Sequence, residues 1–128
     1  MMQSNQTYEK ALDFAVRIVG LYKYLTTASS EFVMSKQILR SGTSIGANIS
    51  EAMSAESTSD FIHKLSISLK ETRETFYWLT LLNRTGYLSE PQFQSMMDDC
   101  SQLKKILSSI ILTTKQKTNE PKVHKSEF

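Results

Sequence analysis

Apolar residues recur along this chain at intervals of three and four, the spacing that lines up one side of an α-helix. From about Gln6 to Thr26 the stripe is Tyr8, Ala11, Phe14, Ala15, Ile18, Leu21, Tyr22 and Leu25, with Lys10, Asp13, Arg17 and Tyr24 opposite. Thr26-Thr27-Ala28-Ser29-Ser30 breaks the pattern and supplies hydroxyls suited to capping the next helix. That second helix is predicted from about Ser30 to Ala55, its stripe starting at Phe32. A third is predicted from about Ser59 to Thr85, with Phe61, Ile62, Leu65, Leu69, Thr72, Phe76 and Leu79 on one side. Asp60 falls in its first turn, where the helix dipole favours negative charge. Gly86 reads as a left-handed stop, and Ser89-Glu90-Pro91-Gln92 as a capping box opening a fourth helix. This last element runs to about Thr114 through Phe93, Met96, Met97, Cys100, Leu103, Leu107, Ile110 and Ile111. No stretch alternates cleanly enough to be a strand.

The second helix is unusual on both sides. Ile38, Leu39, Gly42, Ile45, Gly46, Ile49 and Met53 make a core-facing stripe. The other side carries Ser41, Ser44, Ala47, Asn48, Glu51 and Ala55, where a solvated helix normally carries long charged residues. Gly42 and Gly46 each cost a helix interior about 1 kcal/mol relative to Ala, and close packing is the obvious compensation. Small residues on both sides predict a helix buried twice, once in its own bundle and once against another copy. On the third helix Ile67, Trp78, Leu81 and Leu82 point away from the main stripe, beside Lys70, Glu71 and Glu74. A cluster containing Trp on such a face marks contact with something. The expected oligomer interface is therefore Ser41, Ser44, Ala47, Asn48, Glu51, Ile67, Trp78 and Leu81.

Four amphipathic helices joined by short connections predict an all-α, up-down-up-down four-helix bundle over residues 1–114. From Lys115 to Phe128 the chain is polar, contains Pro121 and lacks apolar spacing, which predicts a flexible tail. At 128 residues, 40% apolar and 22% charged, the chain can bury a core without disulfides or metal. The lone Cys100 excludes an internal disulfide and fits a reducing compartment. With no signal-like start and no apolar run near 20 residues, the expected location is the cytoplasm, with no membrane partner. A net charge of +2 permits nucleic-acid contact without demanding it.

Candidates for catalysis are few. His63 and His124 are the only imidazoles, and Asp60-x-x-His63 occurs once, whereas a bundle holding two metal ions uses such a motif twice. Cys100 sits on a core stripe and reads as a small buried hydrophobe. Ser41-Gly42-Thr43-Ser44-Ile45-Gly46 lacks the Lys-Ser/Thr ending of a phosphate loop and lies inside a helical pattern. No catalytic, metal or cofactor residue is predicted, and no cofactor; the expectation is a protein that is not an enzyme.

Leu39-Arg40-Ser41-Gly42-Thr43-Ser44-Ile45-Gly46-Ala47-Asn48-Ile49-Ser50-Glu51-Ala52 resembles the signature of the bacterial four helix bundle protein family, some of whose members are encoded in intervening sequences of 23S ribosomal RNA genes. Asp60 to Ile67, Lys70 to Thr75, Tyr77-Trp78-Leu79 and Gly86-Tyr87-Leu88-Ser89 resemble the same family's third helix and its end. Many members carry Pro where this chain has Gly46. The resemblance spans about Tyr8 to Leu112. It implies a ring-like homopentamer, and kinship with the accessory variability determinant proteins of diversity-generating retroelements, which bind nucleic acid and a reverse transcriptase.

The functional expectation is a non-catalytic homo-oligomeric bundle, a pentamer by the resemblance, that binds RNA or DNA through basic surface residues. The candidate contacts are Arg17, Arg40, Arg73, Arg84, Lys104 and Lys105, with Lys23 and the tail lysines beside them. The alternative is a protein-interaction scaffold that binds no nucleic acid, its partner a protein such as a reverse transcriptase.

Overall fold

The computed structural model describes residues 2–119. The described residues form four α-helices: α1 (Met2–Ala28), α2 (Met34–Met53), α3 (Thr58–Arg84) and α4 (Glu90–Asn119). They pack as an antiparallel bundle in chain order. α2 lies between α1 and α3, and α4 packs mainly on α3, touching α1 only sparingly. α4 continues to Asn119 rather than ending at Thr114, so Lys115 to Asn119, expected in the tail, are helical. The rest of the expected tail lies outside the described residues.

Each helix end has a local cause. Ser57 caps α3, its Oγ accepting the Asp60 N–H at 3.0 Å. At the other end Gly86 takes φ +87°, the Tyr87 N–H reaches the Leu82 carbonyl at 2.9 Å and the Gly86 N–H reaches Asn83 at 3.2 Å. That pair of bonds is the Schellman closure that Gly86 was expected to permit. The Ser89–Gln92 capping box also forms, at 2.9 and 3.3 Å.

The start of α2 departs from expectation. The hydroxyls of Thr26 to Ser30 do not cap it. Ser30 turns left-handed at φ +51°, and Glu31 folds inward, only 7% exposed. Its carboxylate accepts the N–H groups of Val33, Met34 and Ser35 at 3.1, 3.0 and 2.7 Å. Phe32, predicted to begin the core stripe, is 55% exposed because the helix starts only after it.

The core runs through Phe14, Ile18 and Leu25 of α1, Ile38, Ile45 and Ile49 of α2, Leu65 and Leu79 of α3, and Leu103 and Leu107 of α4. Leu82, placed on the outer patch of the third helix by its spacing, is fully buried, whereas Met53 is largely exposed. The small residues of α2 are used inside the chain. A Cβ added to Gly42 would stand 2.7–2.9 Å from three side-chain carbons of Ile18, and one added to Gly46 would meet Ala11 at 3.5 Å. Toward α3, Ser41 is fully buried and hydrogen-bonded to the fully buried Thr75 hydroxyl at 2.9 Å. Ser68 donates to the Ile45 carbonyl at 2.8 Å. α2 is thus covered by α1 and α3 of its own chain, while Ser44 and Asn48 stay half-buried and Ala47 and Glu51 exposed on its remaining side.

Two predictions follow from this packing. Gly42→Ala should be destabilising: overpacking against a fully buried Ile18 costs about 1–3 kcal/mol, against roughly 1 kcal/mol regained in helix preference. Gly20, with nothing within 4 Å of its Cβ position, is the control, and Gly20→Ala should stabilise by roughly 0.5–1 kcal/mol. Urea melts of both variants make the measurement; equal shifts would mean that α1 and α2 do not approach so closely.

The second prediction concerns Glu31. Burial pushes its pKa up, but the backbone N–H groups of Met34, Ser35 and Val33 outweigh it and hold the carboxyl below its ordinary value of 4.5. A folded-state pKa below the unfolded one stabilises the fold above the unfolded value, and that contribution fades as pH falls through the folded one. Glu31→Gln should cost about 1 kcal/mol at neutral pH, with the gap to the parent narrowing as pH drops below about 4.5. Thermal melts across that range check it; a constant gap would show that the carboxylate charge is not what holds α2.

Candidate nucleic-acid interface

The six cations expected to touch nucleic acid divide into two groups. Arg17 clamps α1 to α4: its guanidinium lies 2.6 Å from Asp99 Oδ2, 3.2 Å from the Ser95 carbonyl and 2.8 Å from Ser95 Oγ. Arg40 bridges α2 to α3. Its Nη1 is 3.2 Å from both Glu71 carboxylate oxygens, and its Nη2 bonds Glu74. The Glu74 hydrogen bond raises the Arg40 pKa, and the same bond, helped by the Trp78 indole N–H, holds the Glu74 carboxyl below the usual range. Both arginines are thus spent on joining helices.

Arg73, Arg84, Lys104 and Lys105 are exposed and make no ion pair among the described residues. Helical spacing puts Arg73 and Arg84 on the outer side of α3 toward α4, and Lys104 and Lys105 on α4. The Lys104 ammonium, 5.5 Å above the Phe76 ring, ties the two helices' cations into one face. Lys70, which the sequence reading placed beside the outer apolar patch without assigning it a contact, belongs to this face as well. It precedes Arg73 by one turn, is exposed, and makes no ion pair among the described residues beyond a longer-range attraction to Glu74. The signal was present in the run 70, 73, 77, 84, which keeps one side of α3. Asp98 is the exposed carboxylate in the outer stripe of α4, two turns before Lys105. Lys23 is exposed on α1, apart from this cluster.

Within the single chain the residues expected at an oligomer interface differ in exposure. Ser41 is enclosed by α3 and has no surface to offer another copy. Ser44 and Asn48 are half-buried and bond the carbonyls of Arg40 and Ser44 at 2.6 and 2.8 Å, while Glu51 pairs with Lys64 at 2.9 Å. Ala47 is exposed, and Ile67, Trp78 and Leu81 are half-buried. An apolar stripe that the sequence reading overlooked lies on α1: Leu12, Val16 and Val19 are 43%, 66% and 37% exposed. Their spacing of four and three was legible, but they sit among Lys10, Asp13 and Arg17, on the side read as polar.

The remaining candidates for chemistry lie apart from this face. Cys100 is fully buried, and desolvation pushes its thiol up to about 12, which disfavours the reactive thiolate. His63 is exposed. Among the described residues no group of three His, Cys, Asp or Glu side chains is placed to hold a metal ion. A hollow of about 510 Å³ opens at the end of the bundle between Phe61, Met53 and Lys117. No helix among the described residues is long and apolar enough to cross a membrane.

The match to the 23S rRNA-intervening sequence protein model extends over residues 3–109, which takes in α2 and α3 whole, α1 but for Met2, and most of α4. The chain belongs to that family. A crystal structure of a protein of unknown function, assigned to the S23 ribosomal protein family and taken from Bacteroides thetaiotaomicron VPI-5482, is 58% identical. The similarity covers 85% of this chain and 97% of that one, with a TM-score of 0.84. No curated protein matches. This 23S rRNA-intervening sequence protein thus shares its fold with that structure, whose description assigns no activity.

Proposed function

We propose that this 23S rRNA-intervening sequence protein is a non-catalytic, homo-oligomeric bundle of the cytoplasm that binds RNA or DNA along its α3–α4 face. The observation that carries the reading is the collection of Lys70, Arg73, Lys104 and Lys105 on one face without ion pairs, while Arg17 and Arg40 are neutralised elsewhere. Cations that hold no carboxylate are available to phosphates, and phosphate neutralisation supplies most of non-specific affinity. The oligomer reading is supported by the exposed apolar stripe of Leu12, Val16 and Val19 on α1. A stripe that meets a different patch of the next copy head to tail generates a ring, and the family resemblance supplies five as its number. The second reading, a scaffold for a protein such as a reverse transcriptase, is favoured by the same α1 stripe, which suits a foreign helix as well as a sister copy.

Anisotropy titrations with short RNA and DNA at low salt should show binding whose affinity falls steeply as salt rises. Arg73→Glu and Lys104→Glu should each weaken it and make the log–log salt slope shallower by roughly one contact. Salt-independent binding, or none at low salt, would remove nucleic acid and leave the scaffold. Light scattering should report several times the 14.6 kDa chain mass, falling to that mass in Val16→Asp. A parent of single-chain mass ends the oligomer proposal, and an unaltered mass in the variant takes the α1 stripe out of the interface.

A further inference from the structure

Tyr77 is the most exposed aromatic side chain among the described residues, at 59%. Its location is what gives that exposure meaning. It follows Arg73 by one turn and Lys70 by two, and precedes Arg84 by two, so an open ring stands within a row of cations that spans about 21 Å of helix. Lys104 enters from α4 over the ring of Phe76, the residue next to Tyr77. Tyr24, another exposed aromatic, lies instead in the α1–α4 groove beside Arg17, whose charge is taken by Asp99.

The ring of Tyr77 is also braced. It meets Trp78 edge to face, with centroids 4.9 Å apart and planes at 76°. The Trp78 indole N–H donates to Glu74 at 3.0 Å, and Glu74 is held in turn by Arg40. An aromatic side chain with few torsions and a fixed neighbour loses little freedom when a ligand lands on it. Glu74, the carboxylate nearest in sequence, shares the Arg40 guanidinium with Glu71 and also feels Lys70, so its charge is only partly compensated, and Asp98 is the exposed acid on the α4 side of this face.

Resting on the nucleic-acid reading above, we infer that the α3–α4 face is a single-strand site. Unpaired bases stack on Tyr77, and Lys70, Arg73, Lys104 and Lys105 hold the phosphates on either side. A duplex keeps its base faces stacked inside and offers only phosphates and groove edges, so an exposed ring among cations gains little from it. A single strand has free base faces and a flexible backbone, and aromatic platforms set in basic surfaces are how proteins hold one without reading its sequence. RNA and DNA share this chemistry.

The test uses the full chain and the emission of Trp78, its lone tryptophan, which sits against the proposed platform. Four probes of matched length are titrated at low salt: oligouridylate, oligothymidylate, duplex RNA and inorganic polyphosphate, which has no bases. Both single strands should bind more tightly than duplex or polyphosphate, and they alone should quench Trp78. Tyr77→Ala should weaken single-strand binding about tenfold and leave duplex and polyphosphate binding unchanged, while Tyr77→Phe keeps the parent affinity. Circular dichroism serves as the folding control, and a ring this exposed should leave it unmoved. Equal affinity for RNA and DNA, or a preference for one, both fit stacking. Duplex or polyphosphate bound as tightly as single strands, or an unchanged Tyr77→Ala, overturns the inference, and the cationic face survives if Arg73→Glu still weakens every probe. Absence of binding by all four probes overturns both and assigns the face to a protein partner.

Discussion

The close approach of α2 to both of its neighbours organises this bundle. On one side Ile18 fills the space a side chain at position 42 would need. On the other, Ser41, Ser68 and Thr75 are short enough to let two backbones meet, and their hydroxyls find partners within the seam. Burying hydroxyls is costly without such bonds, and no buried side-chain oxygen or nitrogen among the described residues lacks one. The cost of two glycines in a helix is thus offset by tight contact within a single chain. The small residues therefore do not by themselves require a sister subunit.

That arrangement decides what is left for the surface. Drawing α2 inward between α1 and α3 lets Arg40 span the α2–α3 seam to Glu71 and Glu74, and Arg17 performs the same task between α1 and α4. Exposed ion pairs of this kind contribute little stability, in the range of about 0–1 kcal/mol. Their larger effect is on the charge map: two arginines are withdrawn from the surface field, while Lys70, Arg73, Lys104 and Lys105 on the α3–α4 face hold no ion pair among the described residues. Exposed apolar surface on α1 is gathered at Leu12, Val16 and Val19. The functional proposals rest on this partition of charge and hydrophobic area.

Several features were legible because their causes are local. The capping box at Ser89 and Gln92 and the left-handed Gly86 each depend on residues within a turn of one another. Helix existence followed from periodicity over many turns. The start of α2 was misjudged because its cap comes from Glu31, a residue type rarely used there, and only the inward fold of that side chain reveals it. The candidate site was half legible. Arg73, Arg84, Lys104 and Lys105 could be named as basic, but so could Arg17 and Arg40, and nothing in the linear order says which cations face a carboxylate on another helix.

The sequence by itself determined four amphipathic helices, most of their ends, the core stripe of each and the crowding that Gly42 relieves, since all of these arise from spacing and short-range chemistry. Only the tertiary structure decided which helices flank α2, that Ser41 is enclosed by α3 instead of facing outward, and which cations stay unpaired beside Tyr77. A helix has several sides, and periodicity states what each side carries; what that side meets depends on the packing of segments distant in the chain.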